Sequence, residues 1–363
     1  MDEKRPARDK DGLSFQRWNN EREEVMKQAI MIDPGTIEFR EIPKPLPGRQ
    51  QVLIRVRRIG ICGSDVHVNH GKHPFTTYPV VQGHEFSGVI ESVGKGVTKL
   101  RVGTLVTATP QEVCGTCAPC RRGDYHICDH LKVRGFQAPG CAQEWFVTEA
   151  DKIVPLPATF TFEQGALVEP VAVGVHSVAR AGRLAGRNVA VLGAGPIGNL
   201  VGQVARAQGA QVLITDISEY RLEIAARCGL KAVSNAKKES LAQAAQRAFR
   251  GKGFAVAFDC AGVEATLTEA VSSIEKGGTI VVVGVYGEHP RVNMGFVQDR
   301  ELSLIGTLMY QYQDFVKAVR LMKTGAVITP PLDSKHFSFS EYPAAYAFVD
   351  AQADKSLKVF IDL

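Results

Sequence analysis

The segment Val189-Ala190-Val191-Leu192-Gly193-Ala194-Gly195-Pro196-Ile197-Gly198 constrains what this chain can fold into more than any other. Residues 188–192 read as a short apolar strand, and residues 197–208 place apolar side chains at helical spacing. The G-x-G-x-x-G pattern therefore falls at a strand-to-helix turn, the context in which it carries chemistry. Gly193 permits the tight turn, Gly195 lets backbone approach a pyrophosphate, and Gly198 allows the helix to pack closely on the strand. Pro196 and Ile197 open that helix, whose first N–H groups and positive dipole end attract an anion. Asp216 ends the next strand, where a carboxylate accepts hydrogen bonds from the adenosine ribose and repels a 2′-phosphate, so the pattern predicts NAD rather than NADP. Arg221 either stacks on the adenine side or admits some NADP. The bland alternative is a set of glycines that serves a tight turn and binds nothing.

The surrounding pattern is strand 188–192, helix 197–208, strand 211–215, helix 219–228, then buried strands at 255–259 and 279–283. Alternation of this kind predicts a doubly wound parallel sheet covered by helices. The first half reads differently. QVLIRVRRIGI over 51–61 alternates like a half-buried strand after prolines at 43, 45 and 47, and glycines at 94, 96 and 103 space further short strands. That predicts an antiparallel, barrel-like β-rich region. A helix at 312–323 and a strand at 357–363 read as a return to it. With 363 residues, two domains are expected. The boundaries are a flexible extension over 1–25, a β-rich catalytic domain over 26–174 plus 310–363, and an α/β dinucleotide-binding domain over 175–309.

Eight cysteines are present, and Cys114, Cys117, Cys120 and Cys128 share one glycine- and proline-rich stretch. Four thiolates at this spacing close a tetrahedral Zn²⁺ shell with no open position, a structural site. Four free surface thiols would be an oxidation-prone patch without a purpose. Cys141, Cys228 and Cys260 sit among apolar neighbours and read as small core fillers. A catalytic zinc needs about three protein ligands and one exchangeable position. The candidates are Cys62 in Gly60-Ile-Cys-Gly-Ser-Asp-Val-His67, His84 and Glu85 in Gly83-His-Glu, and Glu169 in Ala166-Leu-Val-Glu-Pro170. Singly each is ordinary; together with a nucleotide fold and a separate Cys₄ cluster they gain weight.

In residues and order, GICGSDVH, GHE, the CxxCxxC…C loop, LVEPVAVGVH and GAGPIG resemble the zinc-containing medium-chain alcohol dehydrogenases over about residues 26–363. Within that family the chain is most similar to the sorbitol (L-iditol) and related polyol dehydrogenases. The resemblance implies a GroES-like β-rich catalytic domain beside a Rossmann domain. It implies a catalytic zinc held by Cys62, His84, Glu85 and a water, with Glu169 contacting that water or replacing it, a structural zinc on the Cys₄ loop, and NAD as cofactor. The implied reaction is hydride transfer to NAD from a secondary hydroxyl of a polyol, sugar or sugar acid, giving a ketone. Ser64 then becomes a candidate to pass the hydroxyl proton onward, with loop capping as its alternative, and His67 is either a further station or a solvated histidine. Arg300 in QDREL aligns with an arginine of the polyol pocket; a surface arginine at a helix end is the other reading. The residue after Gly140 departs from the family pattern, being Cys141. The resembled enzymes are commonly tetramers or dimers, which implies a homo-oligomer here.

A formal net charge of +5 from 43 basic and 38 acidic residues, with no basic block, argues against a nucleic-acid partner. No long apolar run supports a membrane span, and the charged N-terminus lacks the apolar core of an export signal, so the cytoplasm is the expected compartment. Two other functions stand beside the polyol reading. One is a threonine-type amino-alcohol or simple secondary-alcohol dehydrogenase. The other is a non-catalytic dinucleotide-binding protein on the same fold.

Overall fold

The computed structural model describes residues 24–363, so most of the expected 1–25 extension lies outside the described residues. Six short strands form one wholly parallel sheet, in the spatial order Ala232–Asn235, Gln211–Asp216, Asn188–Leu192, Val256–Asp259, Thr279–Val282, Ser303–Gly306. The chain starts in the middle, runs to one edge, and returns to the middle to build the other half. That is the doubly wound order, with its reversal point between Asn188–Leu192 and Val256–Asp259. The strands are near-continuously apolar because both faces are covered: Leu213, Ala257 and Ile280 pack under one helical layer, Val189, Val191 and Phe258 under the other. Reading by apolar periodicity finds the central strands but misses the edges Ala232–Asn235 and Ser303–Gly306, which are short and partly exposed.

The second sheet has seven strands and is mostly antiparallel. Gln51–Gly60 lies at its heart, pairing with Glu85–Val93, Trp145–Glu149 and Lys358–Asp362. The strands Asp333–Ser338 and Lys358–Asp362 join this sheet. Alternate residues of Gln51–Gly60 (Val52, Ile54, Val56) enter an apolar core with Phe86, Ile90, Phe146 and Ile361. The register sets Gly60 opposite both Glu85 and Phe360. A Cβ on Gly60 would stand 2.6 Å from Glu85 Oε2, so only glycine leaves room for that carboxylate.

One helix ties the halves together. Val168–Arg180 carries Glu169 in its first turn, where an acidic side chain suits the helix dipole. Further along, a Cβ on Gly174 would lie 3.3 Å from the Leu200 backbone, so the helix approaches Pro196–Ala207 closely. The helix that begins at the glycine loop is thus packed against the helix that delivers Glu169.

Candidate active site

Cys62 precedes the short helix Gly63–Asn69, His84 precedes the strand Glu85–Val93, and Glu85 opens it. One ligand atom from each of the three lies within 4.8 Å of the others. Asp65 fixes the first of these: its Oδ2 accepts from the Cys62 amide at 2.9 Å, which caps the helix. Asp65 Oδ1 stands 3.6 Å from His84 Nδ1; both atoms are buried and neither has a hydrogen-bond partner. That geometry leaves Nε2 of His84 for a metal and orients the ring through the carboxylate, as metal-bound histidines require. Burial opposes charging His84, but the Asp65 carboxylate and the Cys62 thiol outweigh it and raise the imidazole well above its usual range. The cluster is anion-rich and draws a cation. Its donors, a thiolate, an imidazole and a carboxylate, suit zinc.

Lys358 supplies charge from the other side. Its Nζ, buried on the strand Lys358–Asp362, donates to Glu85 at 2.5 Å and to the Ile61 carbonyl at 3.3 Å. Glu85 is therefore shared between an ion pair and the Cys62–His84 cluster. Glu169 is buried nearby and accepts from the Tyr310 hydroxyl. Burial pushes its carboxyl up to about 7, against the pull of His84 and the Tyr310 hydrogen bond. Ser64 is half-buried beside Cys62, and His67 is exposed on the last turn of the same helix. His73 stacks on Phe136 (4.7 Å between ring centres), which in turn touches the His84 ring at 5.0 Å. Cys141 is buried against Gly83, where its Sγ would meet a Cβ at 2.9 Å, so the departure after Gly140 fills the space behind the His84 loop.

Arg300 is placed elsewhere, a correction to the expected polyol contact. Its Nη1 donates to the carbonyls of Ser272 (2.6 Å) and Ile274 (3.3 Å) and closes the C-terminal end of the helix Glu264–Ser273. That end lies at the amino edge of the parallel sheet, where Gly277 N–H binds Arg300 O just before the strand Thr279–Val282, opposite the glycine loop. Alignment by resemblance suggested the pocket; the guanidinium is used as a helix-end cap.

The four-cysteine lobe has the geometry of a closed metal shell. Cys117 Sγ is 3.8 Å and Cys114 Sγ 3.6 Å from Cys128 Sγ, and all eight cysteines are free of disulfides. Sulfurs at about 2.3 Å from a tetrahedral Zn²⁺ stand about 3.8 Å apart, whereas a disulfide would close to about 2.05 Å. Bonds donated by the Thr116 hydroxyl and the Thr116 and Cys117 amides hold the Cys114 thiol down at about 5, ready as a thiolate.

At the glycine loop, Gly193 has φ +98 and a Cβ there would meet the Ala261 amide at 3.1 Å. Gly195 caps the helix Pro196–Ala207 at its N-terminus, Pro196 holds the first position, and half-buried Ile197 packs on the core. A Cβ on Gly198 would fall 1.8 Å from Gly193 O, which only close strand–helix packing explains. Asp216 accepts from the amides of Ala194 (2.7 Å) and Ser218 (2.8 Å), bracing the loop, and Arg221 Nη1 stands 3.9 Å from its Oδ2.

Two family models match: the alcohol dehydrogenase GroES-like domain over residues 48–158 and the zinc-binding dehydrogenase domain over 196–324. The sorbitol dehydrogenase of Halalkalibacterium halodurans is 32% identical over 345 residues, 93% of this chain and 100% of that one. The 2-dehydro-3-deoxy-L-galactonate 5-dehydrogenase of Pseudoalteromonas atlantica is 34% identical over 84% of this chain and 89% of its own. A solved zinc-binding dehydrogenase from Sinorhizobium meliloti 1021, bound to NADP, superposes with a TM-score of 0.86 at 29% identity, covering 94% of this chain and 100% of that one. This chain belongs to the zinc-containing medium-chain dehydrogenases, on their polyol dehydrogenase-like branch. It is an oxidoreductase of two parts, GroES-like and Rossmann.

Asp65, Tyr310 and Lys358 escaped reading from the sequence. Only Lys358 left a signal, a lysine in the otherwise apolar run LKVFI.

Proposed function

We propose that the chain oxidises a secondary hydroxyl of a polyol, sugar or sugar acid to a ketone with NAD as hydride acceptor. The observation that carries this is the convergence of Cys62, His84 and Glu85 with the buried Glu169–Tyr310 pair, Glu169 standing on a helix packed against the one that follows the dinucleotide loop. Cys62, His84 and Glu85 would hold a zinc ion, which would supply the Lewis acidity that lowers the pKa of a substrate hydroxyl. Asp65 holds the His84 ring, and Lys358 balances Glu85. Glu169, held near neutrality by its burial, is suited to exchange a proton with a bound hydroxyl, and the half-buried Ser64 offers a route outward. The Asp216 carboxylate favours NAD over a 2′-phosphorylated cofactor; the NADP-bound neighbour makes this the point to test.

The deciding assay is a panel of hexitols, pentitols, sugar acids and L-threonine with NAD and with NADP. Turnover of a polyol or sugar acid with NAD is expected. Activity confined to L-threonine, or a preference for NADP, overturns the corresponding half of the proposal.

The described residues contain no helix long and apolar enough to cross a membrane. Eight unpaired cysteines, four of them clustered, suit the reducing cytoplasm. A homo-oligomer is proposed from the open edge of the parallel sheet: among the described residues Ser303–Gly306 has no strand beyond it, and Val285, Leu304 and Leu308 are exposed around it. An open edge of this kind pairs with another strand. Sedimentation is expected to give a dimer or tetramer, and a monomer at micromolar concentration counts against the proposal.

A further inference from the structure

The four-cysteine lobe does more than close on itself, because its backbone and side chains hold three consecutive residues of the second half of the chain. Gln111 Nε2, buried three residues before Cys114, donates to Tyr310 O at 2.8 Å. The Tyr125 hydroxyl, between Cys120 and Cys128, accepts from the Tyr312 amide at 2.6 Å. Gln311 Nε2 reaches Gly123 O and His126 Nδ1, each at 3.2 Å. His126 also packs edge-on against His176 (4.7 Å), two turns along the helix from Glu169, and His176 Nδ1 is 2.9 Å from Asp314 Oδ2. These contacts meet the chain just after Met309, a side-chain-bearing residue in the left-handed region with φ +52. Such a conformation costs about 1–3 kcal/mol and persists only where the surroundings over-determine it. The turn it makes is the one that sends the Tyr310 hydroxyl to Glu169.

We propose that the cysteine lobe is a clamp for the active site: Gln111 and Tyr125 are positioning residues that hold the strained Met309–Tyr310 turn so that Tyr310 stays on Glu169. A lobe that served stability alone would have no reason to concentrate its bonds on residues 310–312. The inference rests on the proposed role of the Glu169–Tyr310 pair, and the experiment separates the two. Gln111→Met and Tyr125→Phe remove one bond each and leave the cysteines untouched.

Both variants are expected to keep the zinc content and melting temperature of the parent, and to lower kcat for the polyol found active in the panel about tenfold with the KM for NAD unchanged, the scale of loss that misplacement produces. Neither is expected to lower it further in a Tyr310→Phe background. Hydrogen exchange gives a readout independent of turnover. Gln111→Met leaves the partners of the Gln311 and Tyr312 amides in place, so faster exchange there reports a loosened turn. Tyr310→Phe with parental activity overturns the role assigned to the pair. Impaired Tyr310→Phe, combined with Gln111→Met and Tyr125→Phe that are silent or fully additive to it, overturns the clamp.

Discussion

Replacing His84 with alanine is expected to abolish NAD-linked turnover, by at least about a thousandfold, and to leave the protein with one of its two metals. A Lewis acid at a reacting oxygen is worth several kcal/mol, and each factor of ten in rate is about 1.4 kcal/mol. His84 is the natural residue to test because its partners are so specific: Asp65 orients it, Phe136 packs on its ring, and Cys62 and Glu85 lie within ligand reach. The Cys₄ lobe is built from a separate stretch and should keep its ion. Metal analysis beside a kinetic assay reads both effects. Turnover that survives His84→Ala would revive the reading of a non-catalytic dinucleotide-binding protein, and loss of both metals would mean that the variant had unfolded.

The second large effect is expected at Lys358. Lys358→Met should destabilise the metal-depleted protein by about 3–5 kcal/mol, because it strands the buried Glu85 carboxylate without its counter-charge. Burial alone disfavours the lysine cation, yet the Glu85 and Cys62 charges outweigh that and raise its pKa. Lys358→Met with Glu85→Gln should recover most of the loss, since removing both charges removes the penalty. Zinc should narrow the gap between Lys358→Met and the parent, because the ion offers Glu85 another cation. Denaturant unfolding of the parent, Lys358→Met and the double variant, with and without zinc, measures this. Equal stability of Lys358→Met and the parent in the absence of zinc would show that the pair contributes nothing.

What the sequence made legible follows the distance over which residues act. The glycine turn and the cysteine lobe are each set by neighbours within a short stretch, so spacing alone states their geometry; the doubly wound order followed from alternation of strand and helix. The short edge strand Ser303–Gly306, largely exposed, lacks the apolar run that marks its neighbours. Tyr310 and Lys358 acquire their meaning from partners 141 and 273 residues away, which no local pattern encodes. Arg300 illustrates the opposite failure: a resemblance assigned it a ligand, while its surroundings gave its guanidinium three carbonyls to cap.

The pairing of Glu85 with Lys358 has a practical bearing on how a preparation is judged. Closing the contact between Cys114 and Cys128 spans 14 residues, whereas Glu85 meets Lys358 across 273. On the logarithmic cost of loop closure the longer span is about 2.6 kcal/mol harder to bring together. A chain whose last strand had failed to dock would still present four thiols to a metal, and would pass a colour or metal assay that counts only that site. Occupancy of the cysteine lobe therefore certifies a local fold, and only turnover certifies that the two ends of the sheet have found each other.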